Sequence, residues 1–145
     1  MADIRQINPH IAVAPQICVE DVKDIAARGF KTIMNNRPDG ESQDQTPSAV
    51  IEAEAKANNL DYIYLPIVSG NITPANIEDF GKVLASAKGP ILAYCRTGTR
   101  CTNMWALAEA GNCGTDELLK QAAGAGYDLR GLAPTLEKLG AQRKG

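Results

Sequence analysis

Two residues near the middle of the chain, Cys95 and Arg100, have the types and spacing of a cysteine nucleophile on an anion-binding loop. Backbone N–H groups that converge at the start of a helix attract anions, and the helix dipole adds partial positive charge there. A cysteine in that setting has its thiol pKa lowered below about 8.5. We therefore predict that Cys95 is the nucleophile and Arg100 its anion-binding partner. The predicted loop between them consists of Arg96, Thr97, Gly98 and Thr99, with the glycine allowing a tight curl.

The residues on either side of this loop predict a buried strand before it and a helix after it. The run 90–94 is short and apolar, and apolar residues at 104, 105, 107 and 108 recur at helical spacing before Gly111. The alternative interpretation of Cys95 is a structural cysteine at a strand end, because free cysteine usually packs as a small apolar residue. The arginines and the glycine around Cys95 favour a functional site.

Strand-like and helix-like segments alternate along the rest of the chain. The predicted strands are 4–7, 10–14, 30–35, 61–65 and 90–94, and the predicted helices are 19–28, 46–58, 73–87, 101–110, 115–123 and 132–139. Thr46-Pro47 and Thr73-Pro74 have the residue types of an N-cap followed by proline at the first helical position. The alternation predicts an α/β three-layer sandwich, with a mostly parallel sheet covered by helices on both faces. Ligands bind beyond the carboxyl ends of the strands in such sheets, where Cys95 falls.

Composition restricts the classes of function. A chain of 145 residues with 44% hydrophobic and 22% charged residues suits one catalytic domain over 1–145. The net charge of −2, without a Lys/Arg cluster, argues against nucleic-acid binding. No apolar run approaches the roughly 20 residues of a membrane span. The start of the chain lacks a signal segment, so we expect a cytoplasmic protein with reduced thiols.

The cysteines and the histidine do not form a metal motif. Cys18, Cys95, Cys101 and Cys113 lack paired C-x-x-C spacing, and His10 is the single histidine. We therefore predict no metal and no cofactor. Nothing in the sequence indicates a Cys–His pair, so activation of the Cys95 thiol is expected to come from the loop and the arginines.

Three motifs occur together in the order found in a bacterial family. They are Asn35-Asn36-Arg37-Pro38-Asp39-Gly40-Glu41, the strand end Leu65-Pro66, and Tyr94-Cys95-Arg96-Thr97-Gly98-Thr99-Arg100. Over about residues 2–111 the chain resembles the phosphatase-like domain of beta-lactamase hydrolase-like proteins, a family of which some members are labelled sulfur transferases. The resemblance implies the fold of dual-specificity protein tyrosine phosphatases. Residues 112–145 lie outside the resemblance and are predicted to form a helical C-terminal extension.

The active loop departs from the tyrosine phosphatase pattern of His-Cys, five residues, Arg, then Ser or Thr. Here Tyr94 precedes the cysteine, four residues separate Cys95 from Arg100, and Cys101 follows. The shorter loop is similar to that of rhodanese sulfurtransferases, which hold a persulfide sulfur. The phosphatase general acid is an aspartate on a loop that resembles 66–71 here, and this loop has no carboxylate. Expelling an alkoxide without a proton donor lowers the rate by about 10²–10⁴-fold.

These departures favour sulfur transfer as the predicted function. Cys95 would accept sulfane sulfur as a persulfide from a thiosulfate- or persulfide-type donor and pass it to a thiol acceptor, a small molecule or a protein. The alternative is a phosphatase that forms a cysteinyl-phosphate on Cys95, with Arg100 on the equatorial oxygens and Asp39 or Glu41 as the acid. A third possibility is a non-catalytic anion-binding module. The expected ligand is a small sulfur or phosphate anion in each case.

Three further residues are candidates for the same site. Arg37 and Ser69 follow their own strands, so Arg37 is either an anion ligand or a solvated turn residue, and Ser69 is either a site residue or an ordinary loop residue. Cys101 would begin the helix beneath Cys95, where its own thiol would also experience the helix N-terminus. It would then act as a resolving thiol, or, as we favour, as a small buried residue whose S–H replaces a hydroxyl donor to the Cys95 sulfur.

Overall fold

The computed structural model describes residues 2–144 and is built on a five-stranded sheet; the predicted domain limits at 1 and 145 lie outside the described residues. The strands are β1 (Arg5–Asn8), β2 (Ile11–Ala14), β3 (Thr32–Asn35), β4 (Asp61–Tyr64) and β5 (Ile91–Tyr94), in the order β1-β2-β5-β3-β4. β2, β5, β3 and β4 are parallel, and β1 pairs antiparallel with β2 at the edge. The predicted strands are confirmed, with ends that differ by one or two residues.

Helices cover both faces of this sheet. They are α1 (Val19–Ala27), α2 (Ser48–Ala57), α3 (Pro74–Ser86), α4 (Thr99–Glu109), α5 (Thr115–Gly124) and α6 (Ala133–Lys144), with a 3₁₀ turn at Arg130–Leu132. Side chains alternate along each strand, so Leu92 and Tyr94 pack in the cluster with α1 and α2, whereas Ile91 and Ala93 pack with the other helices. The predicted three-layer α/β sandwich is confirmed. No helix within residues 2–144 is long and apolar enough to cross a membrane.

The two predicted proline-led helix starts have different outcomes. The Thr73 hydroxyl accepts a hydrogen bond from the Asn76 N–H at 3.1 Å, so the cap of α3 is confirmed. The prediction at Thr46-Pro47 is wrong by one residue, because Pro47 stays extended and α2 begins at Ser48. The Ser48 N–H instead donates to Asp39 Oδ1 at 2.8 Å, so a carboxylate from the preceding loop satisfies the free donor.

The C-terminal helices pack on the same side of the sheet as α4. The Arg143 guanidinium donates through Nη1 to the carbonyl oxygens of Leu107, Ala108 and Ala110. These are carbonyls at the end of α4, where a cation also complements the helix dipole. The predicted extension is therefore joined to the helix that starts at the Cys95 loop.

Candidate active site

Cys95 lies at the carboxyl end of β5, in the middle of the sheet. Its N–H donates to the Ala14 carbonyl at the end of β2 at 3.3 Å, and the Asn36 N–H after β3 donates to the Tyr94 carbonyl at 2.9 Å. The loops that follow three neighbouring strands are thus joined at one edge of the sheet. This is the crevice position expected for a ligand in a parallel sheet. His10 precedes β2 at the opposite edge and is remote from Cys95.

The loop after Cys95 turns its backbone N–H groups towards the cysteine sulfur. Gly98 has a φ of +88°, in the left-handed region that glycine tolerates, and α4 begins at Thr99. The Gly98 N–H donates to Cys95 Sγ at 3.1 Å. The Cys101 thiol and the N–H groups of Cys101, Thr97 and Gly98 stabilise the thiolate and outweigh the effect of burial, so they lower the pKa of Cys95 to about 6. Cys95 therefore has the ionisation that a nucleophile needs at neutral pH.

Cys101 is fully buried beneath Cys95. Burial, followed by the hydrogen bond to Cys95, raises the pKa of the Cys101 thiol well above its usual range. Cys101 lies in the first turn of α4, but loss of hydration has a larger effect on its pKa than the helix N-terminus. Cys101 stays protonated and donates to the Cys95 sulfur, which is the arrangement of a small buried donor.

Arg100 is held along one edge of its guanidinium group. Nη1 donates to the Ile67 carbonyl at 3.0 Å and to Glu41 Oε2 at 3.0 Å, and Nη2 donates to Glu41 Oε1 at 3.2 Å. Arg100 Nε is buried and has no hydrogen-bond partner among residues 2–144. One edge of the fork is thus fixed by protein oxygens, while the Nε–H remains a free donor.

Arg37 is neither an anion ligand nor a solvated turn residue, and both interpretations of it are wrong. Its side chain is 5% exposed. Its Nε donates to Glu41 Oε1 at 2.9 Å, and Nη1 donates to Gln16 Oε1 at 3.1 Å. The loop after β3 folds back over the sheet edge and buries the guanidinium, which then holds Glu41 in place.

Glu41 enters the crevice as an ionised carboxylate. Partial burial raises its pKa, but the hydrogen bonds from Arg100 and Arg37 outweigh burial and leave the pKa of Glu41 below its ordinary value. A carboxylate held between two guanidinium groups is a poor proton donor. The other acid candidate, Asp39, caps α2 and does not line the crevice. The geometry supports neither residue as the general acid.

The crevice around Cys95 has a volume of about 440 Å³. Besides Cys95, Arg100 and Glu41, its lining includes the predicted residues Arg96, Thr97, Thr99 and Ser69. Gly98 contributes its N–H, which donates to Cys95 Sγ. Asn103 also lines the crevice and was not predicted, although its position three residues after Arg100 on α4 places both on one helix face. A larger groove of about 630 Å³ lies beside α5, but the described residues that line it include no cysteine.

The lowered pKa of Cys95 predicts its reactivity with an alkylating agent. The Cys95 alkylation rate is expected to rise with pH through a midpoint near 6, because its pKa is about 6, whereas free cysteine has a midpoint near 8.5. Iodoacetamide labelling followed by peptide mass spectrometry over pH 5–10 measures this midpoint.

Two comparisons control that measurement. The exposed Cys18 is an internal reference, because hydrogen bonds with Glu20 and Asp21 raise its pKa. Cys101→Ser keeps a donor to the thiolate and is expected to change the Cys95 midpoint little, whereas Cys101→Ala removes the donor and is expected to raise it. A Cys95 midpoint at or above that of Cys18 would contradict the description of the loop.

Comparison with known protein families matches residues 3–112 to the beta-lactamase hydrolase-like protein, phosphatase-like domain. A beta-lactamase hydrolase-like protein of Agrobacterium fabrum is 37% identical over 105 residues, which cover 72% of this chain and 24% of the relative. The chain therefore spans about a quarter of that relative. The resemblance expected from the three motifs is confirmed.

Solved structures agree with this match. A candidate phosphatase from Neisseria meningitidis is 32% identical with a TM-score of 0.84, over 94% of this chain and 97% of that one. The core catalytic domain of the S. cerevisiae PP-IP phosphatase SIW14 is 14% identical with a TM-score of 0.67, over 97% and 92% of the two chains, and shows the shared fold alone. The fold expected from the resemblance is thus confirmed. The relatives favour the phosphatase alternative over the sulfur transfer predicted first.

Proposed function

The chain belongs to the family of the phosphatase-like domain of beta-lactamase hydrolase-like proteins, and on that premise we propose that it is a cysteine-dependent phosphatase. The proposed reaction is the hydrolysis of phosphomonoesters through a covalent cysteinyl-phosphate on Cys95. The relatives named above and the protonation state of the Cys95 loop support this function.

The observation that carries the proposal is the pairing of Cys95 with Arg100 in one crevice. The thiolate forms a bond to phosphorus while the bond from phosphorus to the leaving oxygen breaks. Arg100 Nε, which has no partner within the described residues, donates to an equatorial oxygen, and Nη2 beside it donates to a second. The loop N–H groups stabilise the remaining negative charge. Water then attacks the cysteinyl-phosphate, which releases inorganic phosphate and restores the thiolate.

The proton supply in the crevice limits the substrate class. Among the described residues that line it, the carboxylate is that of Glu41, which Arg37 and Arg100 keep ionised. The leaving oxygen therefore departs without a carboxylic acid to protonate it. We expect the enzyme to prefer phosphates with acidic leaving groups, such as aryl esters or phosphoanhydrides, over alkyl esters.

A series of aryl phosphates tests this function. kcat/KM is expected to fall by about 10²–10⁴-fold from nitrophenyl phosphates to esters of much weaker acids, because no acid compensates for the poorer leaving group. Intact mass after a brief incubation with the best substrate is expected to show one added phosphoryl group on Cys95. A rate independent of leaving-group acidity would contradict the proposed absence of acid catalysis.

The same mass measurement distinguishes the other candidates. The missing acid also suits sulfur transfer, because sulfite or a thiolate leaves without protonation. Parallel incubations with thiosulfate and glutathione persulfide would then add one sulfur atom. A sulfur adduct without any phosphoryl adduct would overturn the phosphatase proposal, and no adduct or turnover with any compound would leave an anion-binding module.

A further inference from the structure

The peptide unit that joins Thr97 to Gly98 is held on both of its sides. The Tyr127 hydroxyl donates to the Thr97 carbonyl oxygen at 3.0 Å, and the Gly98 N–H donates to Cys95 Sγ at 3.1 Å. This peptide is trans, so its carbonyl and its N–H point in opposite directions within one plane. Tyr127 thus lies behind the peptide and the reactive sulfur in front of it.

Tyr127 is fixed in this position by its surroundings. The residue is 6% exposed, and the Arg5 guanidinium lies 5.1 Å from the centroid of its ring. On the loop side, a Cβ added to Gly98 would overlap the Tyr127 hydroxyl and lie 3.0 Å from Cζ. A glycine is therefore required at position 98 for two reasons: the backbone has a positive φ there, and the Tyr127 side chain approaches too closely for a Cβ atom.

We propose that Tyr127 is a positioning residue for Cys95. Its hydroxyl holds the Thr97 carbonyl away from the sulfur and so keeps the N–H of Gly98 directed at the thiolate. A hydrogen bond to the carbonyl also polarises the amide and makes the N–H a stronger donor. If the peptide rotated, the Thr97 carbonyl oxygen would approach the thiolate and destabilise it. The effect on catalysis rests on the proposed phosphatase function, but the effect on Cys95 ionisation does not.

Tyr127 belongs to the segment beyond residue 112, where the family match ends, and so gives that segment a role at the site. Tyr127 lies between α5 and the 3₁₀ turn, in the predicted C-terminal extension. The extension thus contacts the active loop from the side opposite the crevice. This contact joins the segment to the peptide whose N–H donates to Cys95 Sγ.

Tyr127→Phe tests the inference because it removes the hydroxyl and keeps the ring. The midpoint for Cys95 alkylation is expected to rise by about 0.5–1 pH unit, the size expected for weakening one hydrogen bond to the thiolate. The acidic limb of the pH profile of kcat/KM, measured with a nitrophenyl phosphate, should shift by the same amount. As a result, kcat/KM at pH 6 should fall about two- to fivefold, whereas kcat/KM at pH 8 should change little. A merely structural role for Tyr127 would lower stability without moving either midpoint.

Tyr62→Phe is the matched control. It also removes a hydroxyl that is hydrogen-bonded inside the protein, to Ser48 Oγ and Asn35 Nδ2, in the cluster on the face of the sheet opposite to Cys95. The pH midpoint of Cys95 alkylation in this variant is expected to equal that of the unmodified protein. As a second probe, 3-fluorotyrosine at position 127 keeps the ring and strengthens the donor, so the Cys95 midpoint should fall.

The outcomes separate this inference from the proposed function. An unchanged Cys95 midpoint in both position-127 variants overturns the role of Tyr127, even if phosphate esters are hydrolysed. Shifts of opposite sign support it, even if no phosphate ester is hydrolysed, in which case the phosphatase proposal fails and the positioning role stands.

Discussion

Replacing Cys95 with serine is expected to lower turnover by about 10⁴-fold or more, because the covalent intermediate cannot form at a useful rate. The loop stabilises a thiolate whose pKa is about 6, but a serine hydroxyl is far too weak an acid to ionise in the same place. Oxygen is also smaller than sulfur and would sit farther from phosphorus. Steady-state hydrolysis of a nitrophenyl phosphate and the loss of the covalent mass adduct both measure this effect.

Two cysteines outside the crevice provide matched controls for this substitution. Cys18 is exposed at the start of α1, and Cys113 is partly exposed in the turn between α4 and α5. Neither lines the crevice, so Cys18→Ser and Cys113→Ser should keep turnover within about twofold of the unmodified protein. Substantial turnover in Cys95→Ser, or its loss in Cys18→Ser, would refute the assignment of the nucleophile.

Local sequence patterns were sufficient to predict the strand, loop and helix that carry Cys95. Three local features were enough: the apolar run that ends at Tyr94, the glycine at 98 and the helical spacing after Arg100. Each depends on only a few neighbouring residues, and each favours one conformation of the backbone. Once strands and helices alternate, the carboxyl-edge rule places Cys95 in the crevice without further information. The strand, the loop and the helix were therefore predictable, whereas the reaction was not, because sulfur transfer was predicted first and the relatives favour the phosphatase alternative.

The roles of Arg37 and Glu41 depend on tertiary structure and could not be predicted. The sequence around Arg37 has the residue types of an exposed turn, and the turn does form. The loop nevertheless folds back, so the guanidinium is buried and Glu41 bridges it to Arg100. This bridge changes Glu41 from a candidate acid into a residue that holds an arginine.

The role of Tyr127 could not be predicted either, because its contact with the loop joins residues far apart in the sequence. It contacts the Thr97 carbonyl from thirty residues later in the chain. Its sequence neighbours are those of an ordinary helix end, with no pattern that indicates a site. Only the packing of α5 beside β1 brings the tyrosine behind the loop.

Arg100→Lys is expected to lower kcat/KM by about 10²–10³-fold, the usual cost of losing a fixed donor to transition-state charge. In the structure, Nη1 and Nη2 contact Glu41, and Nε has no hydrogen-bond partner among residues 2–144. We expect Nε to donate to a phosphoryl oxygen. A lysine ammonium is a single point of charge and cannot serve both edges at once. Kinetics with a nitrophenyl phosphate, together with thermal unfolding of the same samples, measure the effect.

The stability of the Arg100→Lys variant is expected to change little, because Arg37 still neutralises Glu41 at 2.9 Å and lysine keeps a positive charge nearby. Arg28→Lys is the matched control. It makes the same chemical change in a solvent-exposed ion pair with Asp24 on α1, and its kcat/KM should be unaffected. If Arg100→Lys retained a near-normal rate, Arg100 would be a structural partner of Glu41 alone, and anion binding would have to be assigned to the loop N–H groups.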